Sequence, residues 1–137
     1  MTRIATFRDE HFSGLDALWQ EAFPDDPPRN RADAAVPAEL AEQPELLFVA
    51  LGPDEAVIGS IMAGYDGHRG WLYAVAVRKA WRGTGIGRDL VAHAEKALKA
   101  RGCEKVNLQV RDGNPVIGFY QELGYAVEPR TSMGRQI

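Results

Sequence analysis

The segment Lys79-Ala80-Trp81-Arg82-Gly83-Thr84-Gly85-Ile86-Gly87-Arg88 has the clearest chemical capacity in the chain. It lies between an apolar stretch, Gly70 to Val77, and a run with helical periodicity. A strand feeding a glycine-rich turn that opens a helix presents unpaired backbone N–H groups, and the positive end of the helix dipole, to an anion. Gly83, Gly85 and Gly87 remove side chains where backbone must approach a ligand closely. Arg78, Lys79, Arg82 and Arg88 surround the turn, and no acid intervenes before Asp89. A diphosphate with a further phosphate would suit such a site. Walker A is excluded because no Gly-Lys-Ser/Thr follows the glycines, and the Rossmann fingerprint because its G-x-G-x-x-G spacing behind a strand is missing. The alternative is a tight left-handed turn with exposed basic side chains and no ligand.

The elements that must position this turn follow from periodicity. Arg3 to Phe7 predicts a strand, and Asp9 a helix N-cap ahead of Phe12, Leu15, Leu18, Trp19 and Ala22 on one helical face. Pro24, Pro27 and Pro28 make a loop, and a second helix with a thin apolar stripe runs from about Arg29 to Glu42. Leu46 to Leu51, Ala56 to Tyr65 and Gly70 to Val77 predict three successive antiparallel strands, with turns at residues 52–55 and 66–69. A helix from about Gly85 to Arg101 buries Ile86, Leu90, Val91, Ala94 and Leu98 and stops at Gly102. Glu104 to Val110 is a further strand, Asn114 to Leu123 a short helix, and the remainder supplies one or two closing strands. The strands flanking the Gly85–Arg101 helix should lie parallel through a crossover, which makes a mixed sheet in an α+β, three-layer sandwich.

At 137 residues the chain suits one domain spanning residues 1–137. It carries no apolar run near the roughly 20 residues of a membrane helix and no signal-peptide pattern, which implies a cytoplasmic protein without a membrane partner. The single cysteine, Cys103, has no partner for a disulfide or a metal site and is expected in the core. A net charge of −3 argues against nucleic-acid binding. The charge is also divided. Asp9 to Glu55 holds twelve acids against Arg29 and Arg31, whereas Arg78 to Arg111 holds nine bases against Asp89, Glu95 and Glu104. The second half attracts anions and the first repels them.

Val75-Ala76-Val77 followed by Arg82-Gly83-Thr84-Gly85-Ile86-Gly87 resembles the R/Q-x-x-G-x-G/A signature of the GNAT N-acetyltransferases behind its central strand. Phe119-Tyr120-Gln121-Glu122-Leu123-Gly124-Tyr125 resembles the second element of that family, in which a tyrosine precedes Leu-Gly-Phe/Tyr. Gly64 to Gly70, with Ala100-Arg101-Gly102-Cys103, is further similar to small bacterial YpeA-like members, through most of the chain after about Leu46.

The resemblance implies the GNAT fold, with strands four and five splayed apart, and acetyl transfer from acetyl-CoA to a primary amine of a small molecule or peptide by direct attack in a ternary complex. It implies that Val75, Ala76 and Val77 pair with the pantetheine arm, that Gly83, Thr84, Gly85, Ile86, Gly87 and Arg88, with Arg82, hold the pyrophosphate, and that a backbone N–H near Val75 stabilises developing charge. Tyr120 is then the candidate general acid for the departing thiolate. Members usually carry an asparagine seven residues before this tyrosine. Here that position is Gly113, and Asn114 lies one residue late. Asp66, His68 and Tyr73 are the candidate bases for the acceptor amine, set against ordinary turn chemistry for the first two and strand packing for the third. The acidic first half suits either a cationic acceptor or a plain solvated face. A monomer and a homodimer both remain open, and so does a non-catalytic acyl-CoA-binding or regulatory module that kept the turn.

Overall fold

The computed structural model describes residues 2–137. Five strands, β1 (Arg3–Thr6), β2 (Leu47–Leu51), β3 (Val57–Tyr65), β4 (Gly70–Val77) and β5 (Val106–Leu108), form one sheet in chain order. β1 to β4 pair antiparallel, and β5 joins β4 in parallel. The helices are α1 (Phe12–Ala22), α2 (Ala32–Glu42), α3 (Ile86–Ala100) and α4 (Ile117–Glu122). None of the described helices is long and apolar enough to cross a membrane.

Strand alternation divides the core into two clusters, one per face. Leu47, Val49, Leu51, Val57 and Ala76 pack with Leu15, Leu18 and Trp19 of α1 and with Ala32 and Val36 of α2. Phe48, Ala50, Ile58, Ile61, Ala63 and Leu72 pack against Ile86, Leu90, Val91, Ala94 and Leu98 of α3, with Phe119, Tyr120 and Leu123 at its margin. The result is an α+β three-layer sandwich with a mixed sheet, as the periodicity predicts. Cys103 lies buried under the α3 face.

Three expectations need correction. Asp9 does not cap the first helix: Asp9–His11 forms a 3-10 turn, and the Arg8 N–H instead donates to His11 Nδ1 at 3.0 Å. A histidine ring three residues on serves the role usually taken by a carboxylate. The last helix starts at Ile117 rather than Asn114. Gly113 has φ +83, and the chain turns through Pro115 before helical geometry begins. Finally, residues 125–137 form no closing strand. That tail is tied by side chains: Lys105 Nζ pairs with Glu128 Oε2 at 2.7 Å, Asn107 Nδ2 donates to Glu128 Oε1 at 2.9 Å, and Gln109 bonds Ser132.

The strand expected over Glu104–Val110 is also shortened to three residues, and the reason bears on the site. β3 and β4 lose register between Ser60 and Met62, where Ala74 takes φ +50. Such a bulge bends the strand that carries it. β5 pairs with β4 only through Gly70–Val106, Trp71–Asn107 and Leu72–Leu108. Beyond Leu72 the β5 side of β4 has no strand partner, so the two strands splay.

Candidate active site

The bulge is held from the α1 face. Trp19 Nε1 donates to Ser60 Oγ at 2.9 Å, and Ser60 Oγ donates to the Ala74 carbonyl at 2.8 Å. Ser60 is fully buried, and a buried hydroxyl persists where it both donates and accepts. Neither Ser60 nor Trp19 was legible as a site residue. Serine in an apolar strand, three residues from Ala63, gives only the weak signal of a polar residue at an inward position.

At the far end of β4 the glycine turn has the geometry an anion requires. Gly83 (φ +80) and Gly85 (φ +90) are left-handed, and Gly85 is the N-cap of α3. A side chain at Gly83 would enter open space, so the turn faces outward unobstructed. Thr84 Oγ1 donates to the Trp81 carbonyl at 2.6 Å, and Arg82 Nε donates to the Val77 carbonyl at 3.1 Å. These bonds fold the turn back onto the end of β4. The start of α3 is pressed onto the sheet: a Cβ at Gly59 would lie 3.0 Å from Leu90 Cδ1 and 3.2 Å from both Ile86 Cγ2 and the Ala76 carbonyl. A Cβ at Gly87 would lie 3.2 Å from Phe119 Cζ and 3.8 Å from Val77 Cγ2. Gly87 thus brings β4, α3 and α4 together.

Arg82 and Arg88 are exposed at the turn. Arg78 is not available to it: its Nε donates to the Val57 carbonyl at 3.2 Å, and its Nη1 lies 3.5 Å from Glu21 of α1. The sequence cannot distinguish a basic side chain spent on a neighbouring helix from one facing a ligand. The β4 edge at Val75, Ala76 and Val77 without a strand partner, the outward left-handed turn and the exposed guanidinium groups of Arg82 and Arg88 fit an extended chain joined to a diphosphate.

Tyr120 sits on α4 next to Phe119, its ring edge-on to Phe119 and Tyr125 at centroid distances of 5.0 and 6.0 Å. Burial raises its pKa above the usual phenol value, which keeps the proton on. Tyr125 is a different kind of residue: its hydroxyl donates to Glu95 Oε2 at 2.7 Å, which ties the end of α4 to α3. Asn114 is exposed in the turn before α4.

The three candidate bases separate. Asp66 Oδ1 accepts from the His68 and Arg69 N–H groups at 2.8 and 2.7 Å, and those bonds hold its carboxyl below the usual range. That is the geometry of a turn-holding aspartate. His68 is exposed beside it. Tyr73 stands on β4 next to the bulge, with 47% of its surface exposed. A hollow of about 320 Å³ lies elsewhere, against Thr2, Arg3, Ile4 and Ala50 at the β1 end of the sheet and His93 of α3.

A mixed sheet that splays beside a left-handed glycine turn gives an α+β architecture with an anion-ready helix N-terminus. The chain matches the Acetyltransferase (GNAT) family over residues 9–125. It is 37% identical to an acetyltransferase of Pectobacterium atrosepticum over 98% of this chain and 94% of that one. It is 41% identical to one of Sodalis glossinidius over 91% of this chain and 87% of that one. Its fold is shared with AAC(6')-Iy in complex with the bisubstrate analogue CoA-S-monomethyl-acetylneamine, at TM-score 0.81 and 19% identity over 100% of this chain and 99% of that one. A chain of the NatC complex bound to Gag peptide and CoA gives TM-score 0.76 and 22% identity, covering 89% and 82%. The chain belongs to the GNAT acetyltransferase family and is by class an N-acetyltransferase.

Proposed function

We propose that this protein, as one domain over residues 1–137, transfers an acetyl group from acetyl-CoA to a primary amine of a small molecule or peptide by direct attack in a ternary complex. The observation that carries this is the β4 edge left without a partner beyond Leu72, ending in the outward turn at Gly83 and Gly85.

Acetyl-CoA, when bound, supplies an acyl group on a thiol leaving group. The N–H groups from Gly83 to Arg88, with the Arg82 and Arg88 guanidiniums, are the donors for its pyrophosphate. The open backbone of Val75, Ala76 and Val77 receives the amide-bearing arm as an added strand would be received. A backbone N–H at Val75, beside the bulge, is the donor for the oxygen on which charge develops, and the Trp19–Ser60 hydrogen bonds keep that backbone from relaxing. The Tyr120 hydroxyl holds the proton that the departing sulfur needs, and its raised pKa keeps the proton available through the alkaline range. The amine approaches from the α1–α2 face, where Tyr73 is exposed.

Calorimetric titration with acetyl-CoA, CoA and ATP tests this. Micromolar binding of the first two and none of ATP is the expected result, followed by thiol release with a panel of polyamines, aminoglycosides, amino acids and N-terminal peptides. Failure to bind either CoA species would overturn the proposal. Binding without amine-dependent thiol release would point instead to a non-catalytic acyl-CoA-binding module.

A further inference from the structure

The α1–α2 face holds a carboxylate that packing does not explain. Helical spacing places Ala32, Val36, Glu39, Leu40 and Gln43 on one stripe of α2. Ala32 and Val36 are buried, and Leu40, like Met62 and Ala74, packs at the margin of the same cluster. A carboxylate therefore occupies a position on the apolar stripe. Glu39 is half-buried, and its covered Oε2 has no hydrogen-bond partner among the described residues, an unfavourable arrangement that structures rarely keep without use.

Its neighbours place it at the site. Gln43, one helical turn further on, clamps the end of β3: its Nε2 donates to the Tyr65 carbonyl at 2.7 Å, and its Oε1 accepts from the Tyr65 N–H at 2.8 Å. A Cβ at Gly64 would lie 3.6 Å from Gln43 Oε1 and 3.7 Å from Tyr73 Cε2, so Gln43 and the Tyr73 ring share one face of the sheet. Glu39 is one turn back from Gln43, and burial, with the Glu39 charge second, raises the Tyr73 pKa above the usual phenol value. Tyr73 is paired with Met62 and immediately precedes the Ala74 bulge. The splay of β4 from β5 begins just beyond Leu72, at this level of the strand.

We propose that Glu39 is the acceptor-binding base: its carboxylate receives the protonated amine beside Tyr73 and takes its proton before the nitrogen attacks. This rests on acetyl transfer as proposed above. The ammonium group gives one proton to Glu39, leaving a neutral amine and a carboxylic acid. The nitrogen forms a bond to the acetyl carbon, the carbon–sulfur bond breaks with its electron pair on sulfur, and Tyr120 protonates that sulfur. The second nitrogen proton restores Tyr120 through solvent, and Glu39 releases its own to bulk, so one proton leaves per turnover. Burial lifts the Glu39 carboxyl to about 7, opposed by Arg101, whose Nη2 is paired with Glu45 at 2.6 Å. The other titratable groups facing this site are Tyr73 and, through Tyr73, Asp66. A base with a pKa near working pH is the efficient kind.

The test compares wild type and Glu39→Gln with acetyl-CoA and whichever of spermidine, kanamycin, lysine and an N-terminal peptide wild type turns over best. Three readouts are taken: calorimetric acetyl-CoA binding, kcat/KM against pH, and the Glu39 carboxyl titration followed by carbon-13 NMR with and without that amine. Glu39→Gln should bind acetyl-CoA as wild type does yet lose about 100-fold or more in kcat/KM. The rise of the wild-type profile through about pH 7 should vanish, and the amine should lower the Glu39 midpoint by favouring the carboxylate. Retained kcat/KM, a retained rise, or a midpoint that the amine does not move would each overturn the inference. If wild type turns over none of the amines, acetyl transfer itself fails and the role of Glu39 falls with it. Loss of activity by unfolding is excluded by a thermal melt. A carboxyl raised in the folded state costs stability as pH climbs from about 4.5 to about 7, so the glutamine variant should melt a few degrees higher than wild type near pH 8, with no difference near pH 4.

Discussion

At the start of α3 the protein offers backbone, whereas along α2 it offers side chains. The turn from Gly83 to Gly87 is defined by left-handed dihedrals and an open edge, which only glycine meets without strain. The face formed by Glu39, Gln43 and Tyr73 is assembled from residues up to 34 apart in sequence, each of an ordinary type in an ordinary element. One region tolerates almost no substitution in its glycines but is indifferent to which amine arrives. The other is built of side chains, and in the function proposed above it is the part that meets the acceptor.

Breaking the backbone side should have the largest effect. Gly85→Val forces a β-branched residue to φ +90, where strain of about 3 kcal/mol corresponds to roughly a 100-fold loss in acetyl-CoA affinity by calorimetry. The circular-dichroism spectrum should stay unchanged, because the turn is exposed. Tyr120→Phe should leave that affinity intact and lower kcat by about 100-fold in a thiol-release assay, since the ring packing survives and only the proton is lost. Full activity in that variant would remove Tyr120 from the chemistry.

The join between the two regions is tested by Ser60→Ala, which strips the acceptor from buried Trp19 Nε1 and frees the Ala74 carbonyl. A stability loss of about 1–3 kcal/mol in urea unfolding is expected, together with a several-fold lower kcat as the bulge loosens. On the acceptor side, Tyr73→Phe should be the mildest, raising KM for the amine about threefold while leaving acetyl-CoA binding alone. A larger effect on cofactor binding than on amine KM would mean that the two regions are not separable.

The fold was largely legible because its core elements are strongly periodic. The α3 stripe Ile86, Leu90, Val91, Ala94 and Leu98 is buried as its spacing implies, and the three antiparallel strands lie where the apolar runs put them. The ends were less so. Asp9 was a plausible cap, but His11 took the bond. The strand over Glu104–Val110 shortened because the bulge at Ala74, itself invisible in an Ala-rich run, turns β4 away from its neighbour. The closing strands failed because the chain after Gly124 is held by rungs of side chains and not by a ladder.

The amino-acid sequence alone determined the glycine turn, the helix behind it and Tyr120 ahead of Leu123-Gly124, since each is a local pattern whose chemistry depends on neighbours along the chain. Tertiary structure decided which polar groups were spent and which were left over. Arg78 went to Glu21, Asp66 to its own turn, and Ser60 to the bulge, while Glu39 was left half-buried on the apolar stripe with a covered oxygen unpartnered. Hydrogen-bond partners and burial are set by elements distant in sequence, and no spacing rule within a single helix or strand contains them.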